Sequence, residues 1–160
     1  MRASRPIAVY LRDHETAAQA GVRAFRRVAG SHRSRPWGSD LVHLASQVRD
    51  DLRTEQRILR ARRVRRRRLA GPIASIGERV GRLKGNGAVV RRSPTTDVVE
   101  LEALIAIVAM KRAHWRTLEL ASIGDVVDAT ALVARADAQL RRLASAHEQA
   151  AAALHGATRR

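Results

Sequence analysis

Four long stretches of this chain place their apolar residues on one stripe when projected at 100° per residue, the period of an α-helix. Between residues 7 and 29 the stripe is Ile7, Leu11, Ala18, Val22, Phe25 and Val28. Gly30, Ser31, Ser34, Pro36 and Gly38 then supply turn chemistry, and Ser39 or Asp40 is available to cap a second helix. That helix runs from about residue 40 toward Arg63 or beyond, burying Leu41, Leu44, Val48, Leu52 and Leu59, until Gly71 and Pro72 stop it. A shorter amphipathic piece, Ile73, Ile76, Val80 and Leu83, reads as a crossover helix closed by Gly85-Asn86-Gly87. Ser93-Pro94 opens a fourth helix with the stripe Leu101, Leu104, Val108, Trp115 and Leu118, ending near Gly124. Asp125 is placed to cap a fifth, with Val126, Ala129, Val133, Leu140, Leu143 and Leu154 as its stripe and Gly156 at its end.

Four long helices with one apolar stripe each satisfy one another in a four-helix bundle. The expected fold is therefore all-α: one domain over residues 1–160, with a short extra crossover helix in a central segment at about 64–93. There is no internal repeat and no alternation strong enough for strands. Aromatic residues are only 2% of the chain, so Ala, Val, Leu and Ile must build the core, a mixture suited to closely packed helices. The absence of Cys removes disulfides, thiolate zinc sites and thiol catalysis, and makes the cytoplasm the expected compartment. The amino end lacks the apolar core of a secretory signal. The longest apolar run, residues 103–110, falls far short of the roughly 20 residues a membrane span needs.

Formal net charge is +16, with 31 basic residues of which only Lys84 and Lys111 are lysines. Arginine-rich coding bias accounts for the choice of Arg, but not for there being only 15 acids. The excess favours association with nucleic acid, an acidic protein or an anionic surface.

Several polar residues fall inside the apolar stripes, where an unpaired polar group costs roughly 1–3 kcal/mol. His14 lies between Leu11 and Ala18, with Tyr10 beside it; Glu55 lies between Leu52 and Leu59, with Asp51 one turn earlier. Lys111 interrupts the stripe of the fourth helix, which Glu100 flanks, while His147 sits on the stripe of the fifth and Asp137 at its edge.

Tyr10-Leu11-Arg12-Asp13-His14, Gly81-Arg82-Leu83-Lys84-Gly85-Asn86-Gly87, Ser93-Pro94, Val99-Glu100-Leu101-Glu102, Lys111 and Trp115 together resemble an uncharacterised family of small actinobacterial helical-bundle proteins, ferritin-like in general shape. The resemblance spans most of the chain. It implies a fold and a host group, and no activity.

Ferritin-like di-metal enzymes use Glu-x-x-His on two helices, and that spacing is absent: Glu102 with His114 and Asp13 with His14 do not reproduce it. If the first two helices are antiparallel, His14 and Glu55 lie at similar depth, and the direction of the fourth helix decides what joins them. Should the central segment traverse the bundle, Lys111, His114 and Asp137 approach that layer. The polar cluster is then His14, Asp51, Glu55, Lys111 and Asp137, in which an ammonium opposes a dication and favours a salt-bridged core. Should the segment turn back at once, Glu100 or Glu102 and His147 join His14 and Glu55 as a plausible set of metal ligands. The thirty residues of the central segment are long enough to traverse the bundle, and the first arrangement is preferred. Trp37 and Trp115 read as packing anchors.

The strongest local charge is Arg57, Arg60, Arg62, Arg63, Arg65, Arg66, Arg67 and Arg68. A solvated helix end is the plainer reading; a phosphate-binding patch is the alternative, using Arg60 to Arg68. No helix-turn-helix, stacking aromatics or phosphate loop accompanies the run, and no Ser/His/Asp ordering points to hydrolysis. The expectation is a non-enzymatic basic bundle with a polar core layer and no cofactor, whose partner, a protein, nucleic acid or anionic surface, is unspecified. A metal-binding bundle and a nonspecific anion binder stand as alternatives.

Overall fold

The structure, a computed structural model, describes residues 3–65, 93–121, 123 and 126–157, with side chains to Leu154. It is an all-α four-helix bundle: α1 Arg5–Ser31, α2 Gly38–Ala61, α3 Pro94–Leu120 and α4 Ala129–Ala157. The fourth and fifth stretches of the sequence are thus α3 and α4. The expected crossover helix, with Gly71-Pro72 and the turn at 85–87, lies outside the described residues.

Helix ends follow local chemistry and correct several expected boundaries. Pro6 sits in the first turn of α1, where its missing N–H costs nothing. Gly30 and Ser31 belong to α1 rather than to the turn, and Trp37, not Ser39 or Asp40, precedes α2; Asp40 lies in its first turn, facing the positive end of the helix dipole. Gly38 opens α2 because a Cβ there would stand 2.5 Å from the His32 carbonyl oxygen. At its far end α2 stops at Ala61, well before Gly71, through a closing motif in which Val64 N–H donates to the Leu59 carbonyl (2.8 Å). Arg63 takes the left-handed residue of that motif, with φ 55°. Ser93 caps α3 by accepting from Thr95 N–H (3.3 Å). Asp128 caps α4 by accepting from Ala131 N–H (2.9 Å), the role expected of Asp125.

The core contains Leu11, Phe25, Leu41, Leu44, Ile58, Leu59, Leu101, Leu104, Trp115, Leu118 and Leu143, all at most 2% exposed. α1 and α2 pack as one antiparallel pair and α3 and α4 as another, with fewer contacts from α1 to α3. Gly21 allows that crossing, since a Cβ on it would lie 3.1 Å from Ile107 Cγ2. In α4 the buried seam is Ala129, Leu132, Ala136, Leu143, Ala146 and Ala150, one residue out of step with the expected Val133 and Leu140, which are only partly buried. Alanines win those positions because small side chains let α4 lie close to α3. Val126, expected on the stripe, is 42% exposed ahead of the helix.

Cross-helix contacts fix the directions. Trp37 and His32 meet the start of α3 through Glu100, Asp51 meets Lys111, Glu55 meets His114, and Arg62 meets Ile123 just past its end. α3 therefore runs parallel to α2 and antiparallel to α1, and the chain leaves α2 at one end of the bundle to start α3 at the other. Contacts from Arg112 to Asp137 and from Glu119 to Thr130 show α4 antiparallel to α3.

Candidate functional site

Because α2 and α3 are parallel, residues at equal depth carry ascending numbers on both, and two polar layers form a turn apart. In the first, Glu55 on α2 is 1% exposed and its Oε2 accepts from His114 Nε2 on α3 (2.7 Å). The hydroxyl of Tyr10 on α1 meets His114 Nδ1 (3.1 Å). The His14 ring, one turn along α1 from Tyr10, stacks on His114 with centroids 4.1 Å apart and planes 16° apart. Burial lowers the pKa of His14 from 6.5 to about 4, the neighbouring His114 adds to that, and Asp13 pulls weakly the other way. His14 is therefore a neutral ring near pH 7.

In the second layer Asp51 is 3% exposed and takes two cations, Lys111 from α3 and Arg135 from α4. Gln139 of α4, 1% exposed, accepts from Lys111 with its oxygen and donates with its nitrogen to Gln47 (3.1 Å) and toward Asp51 (3.4 Å). Desolvation lowers the pKa of Lys111, and the Asp51 charge and hydrogen bond partly restore it. An ammonium fixed between a carboxylate and an amide oxygen links α2, α3 and α4 at one point.

The two layers border a single cavity of about 40 Å³, which His14, Asp51, Glu55, Lys111, His114 and Trp115 help to line. A water needs roughly 10–15 Å³ of such space. Among the described residues Glu55 Oε1 has no partner, although its carboxylate is buried.

At the opposite end a further cluster forms. Trp37 Nε1–H donates to His32 Nδ1 (2.8 Å), and since an indole nitrogen can only donate, Nδ1 is bare and Nε2 carries the proton toward Glu100 Oε2 (3.0 Å). Arg35 closes the group on Asp97 (2.6 Å). His32 is fully buried and Asp97 3% exposed.

No family model, curated protein or solved structure matches this chain.

The geometry thus gathers His14, Asp51, Glu55 and Lys111 around one cavity and leaves Asp137 out. Asp137 pairs with Arg112 at the half-exposed edge of α3 and α4, because Gln139, two residues on, holds the inward position. The alternative ligand set His14, Glu55, Glu100, Glu102 and His147 is dispersed: Glu100 serves His32, while Glu102 meets His147 (3.3 Å) on the surface. Among the described residues no three His, Asp or Glu side chains are placed to hold a metal ion. Of the arginine run, Arg60, Arg63 and Arg65 are exposed, whereas Arg62 is buried and donates to the Ile123 carbonyl (2.8 Å), so it cannot serve a surface patch. Arg66, Arg67 and Arg68 lie outside the described residues.

Sequence reasoning singled out neither Gln139, Glu15, His32 nor Asp97. Glu15 follows Leu11 by one helical turn, and Asp97 precedes Leu101 by the same step, so spacing alone would have placed both on buried stripes. Gln139 was hidden by the one-residue shift of the α4 seam. His32 lies one residue past the helix, where periodicity stops informing.

Proposed function

We propose that this chain is a non-enzymatic helical-bundle protein whose two buried polar layers, one of them ionic, hold four helices in register, and whose basic exterior engages a partner. The observation that carries the reading is the Lys111 ammonium, fixed between Asp51 and Gln139 with Arg135 on the same carboxylate. Such an arrangement leaves Asp51 already neutralised by two protein cations, and a dication placed there would be opposed by Lys111. The connection order, with a long link carrying the chain from α2 to a parallel α3, is that of ferritin-like bundles, and we include that shape in the proposal without its metal centre. Tyr10, His14, Lys111 and Trp115, which carry the resemblance to actinobacterial bundle proteins, all stand in or beside this layer. A cytoplasmic setting fits the absence of Cys.

The test is metal analysis of protein purified from cells supplied with iron, manganese and zinc. The expected result is no stoichiometric transition metal and no change in melting temperature with a chelator. A stoichiometric metal whose removal lowers stability contradicts the reading.

One observation favours polyanion binding as a second reading. Residues 5–61 carry 11 basic and 6 acidic side chains and residues 62–93 carry 11 and 1, whereas residues 94–157 carry 6 and 8. Positive charge is therefore concentrated on the first helical pair and the link rather than spread evenly. Affinity for a DNA or RNA duplex that falls steeply with salt is expected; no binding at low salt rejects it.

A further inference from the structure

An open groove of about 260 Å³ lies between α1 and α2. Its floor is apolar, with Val22 and Ala29 from α1 and Val42 and Ala45 from α2. Its border carries three guanidinium groups, from Arg26, Arg33 and Arg49, together with the Ser46 hydroxyl. Among the described residues no acid lines it. Among the described residues none of these three arginines has an ion pair. Val42 is 52% exposed, so its side chain is open to a ligand lying in the groove.

Three cations around one recess repel one another, and among the described residues no ion pair relieves that repulsion. A dianion with several acceptor oxygens does so best, since planar guanidinium forks match phosphoryl oxygens two at a time. The apolar floor then asks for a compact organic group on the same molecule. The volume is slightly below the roughly 300–1,000 Å³ of pockets for drug-sized ligands, which limits that group to about one small ring or short chain. We infer that the groove between α1 and α2 binds a small phosphomonoester, its phosphate held by Arg26, Arg33 and Arg49 and its organic part lying on Val22 and Val42. The groove shares no lining residue with the cavity of the ionic layer, so this site stands apart from that layer and its failure would leave the ionic core untouched.

Two substitutions separate charge from space. Arg33→Gln/Arg49→Gln removes two exposed cations and leaves the recess open. Gly30→Phe keeps every charge and fills the recess, because a side chain grown from Gly30 meets open space rather than protein. Binding to the full chain is followed by calorimetry with phenyl phosphate, inorganic phosphate and benzyl alcohol, at low and moderate salt, and each variant is melted to show that it folds as the wild type does. Phenyl phosphate is expected to bind about tenfold more tightly than inorganic phosphate, from the apolar contact, with benzyl alcohol not binding. Each variant is expected to weaken phenyl phosphate by about tenfold or more, the first through lost charged hydrogen bonds and the second through lost space. The inference is overturned if phenyl phosphate does not bind at low salt, binds no better than inorganic phosphate, or binds both variants as it binds the wild type. A short oligonucleotide that binds more tightly than phenyl phosphate and is equally sensitive to Arg33→Gln/Arg49→Gln would assign the groove to a nucleic-acid backbone and overturn it as well.

Discussion

Replacing Lys111 by Met keeps an unbranched stem as far as Cε and deletes the ammonium, which isolates the electrostatic part of the second polar layer. Asp51, 3% exposed, would retain Arg135, whose side chain is 36% exposed, and a long contact (3.4 Å) from Gln139. Stranding a buried charge completely costs about 3–5 kcal/mol. With Arg135 still present, about 2–3 kcal/mol is expected, which for a chain of this size lowers the melting temperature by roughly 4–12 °C. Asp51→Asn should cost a comparable amount, since it strands Lys111 and frees Arg135 to solvent. The double variant should recover part of the loss, with a coupling energy of about 1–3 kcal/mol from urea unfolding of the four proteins at one pH. Additivity within about 0.5 kcal/mol would mean that Asp51 and Lys111 do not meet in the folded chain, and the ionic layer would be refuted.

His14 supplies a pH dependence of defined sign. Its pKa is lowered from 6.5 to about 4, so below pH 6.5 the unfolded chain takes up a proton that the folded chain refuses, and stability falls as pH drops toward 4. The full shift corresponds to about 3 kcal/mol, which for a ring only about half removed from water reduces to about 1–2 kcal/mol. His14→Phe should flatten that part of a stability profile measured between pH 7 and 4, and an unchanged slope would exclude His14 as its source. Gly38→Ala is expected to cost about 1–3 kcal/mol by thermal melting, because its Cβ would meet the carbonyl oxygens of His32 and Arg33 at 2.5 and 2.8 Å; a neutral result would show that the α1–α2 turn is looser than described. Arg63→Gly should stabilise by about 1 kcal/mol, since φ 55° opposes any side chain, and a loss would mean that Arg63 does not close α2 in the left-handed form.

How far the sequence reaches depends on what each element rests on. The stripes of α2 and α3 were legible because their apolar residues are large and evenly spaced, and Leu41, Leu44, Leu101, Leu104 and Val108 are all buried. In α4 the seam is mostly alanines, which hydrophobicity scarcely separates from the other alanines around it, so Ala129 and Leu143 are buried as expected while Val133 and Leu140 fall one residue beside the buried Leu132 and Gln139. The polar cluster was partly legible for the same reason: His14, Glu55 and Lys111 interrupt strong stripes, but Asp137 was assigned from the misread face of α4. Metal ligation by Glu100, Glu102 and His147 required α3 to run the other way, and no local pattern sets that direction. It is fixed by contacts more than fifty residues apart, such as Glu55 with His114. Helix ends at Ala61 and Gly38 were misjudged where backbone geometry, rather than a capping side chain, decides them.

The chain contains only two lysines, Lys84 and Lys111, so a lysine-selective ¹⁵N label gives two ammonium signals, which Lys111→Met assigns. If Lys111 is clamped by Asp51 and Gln139, its ammonium protons exchange slowly with water at neutral pH and it titrates below the ordinary lysine value. Rapid exchange and an ordinary titration at Lys111 would place its head in solvent, contradicting the buried ionic layer.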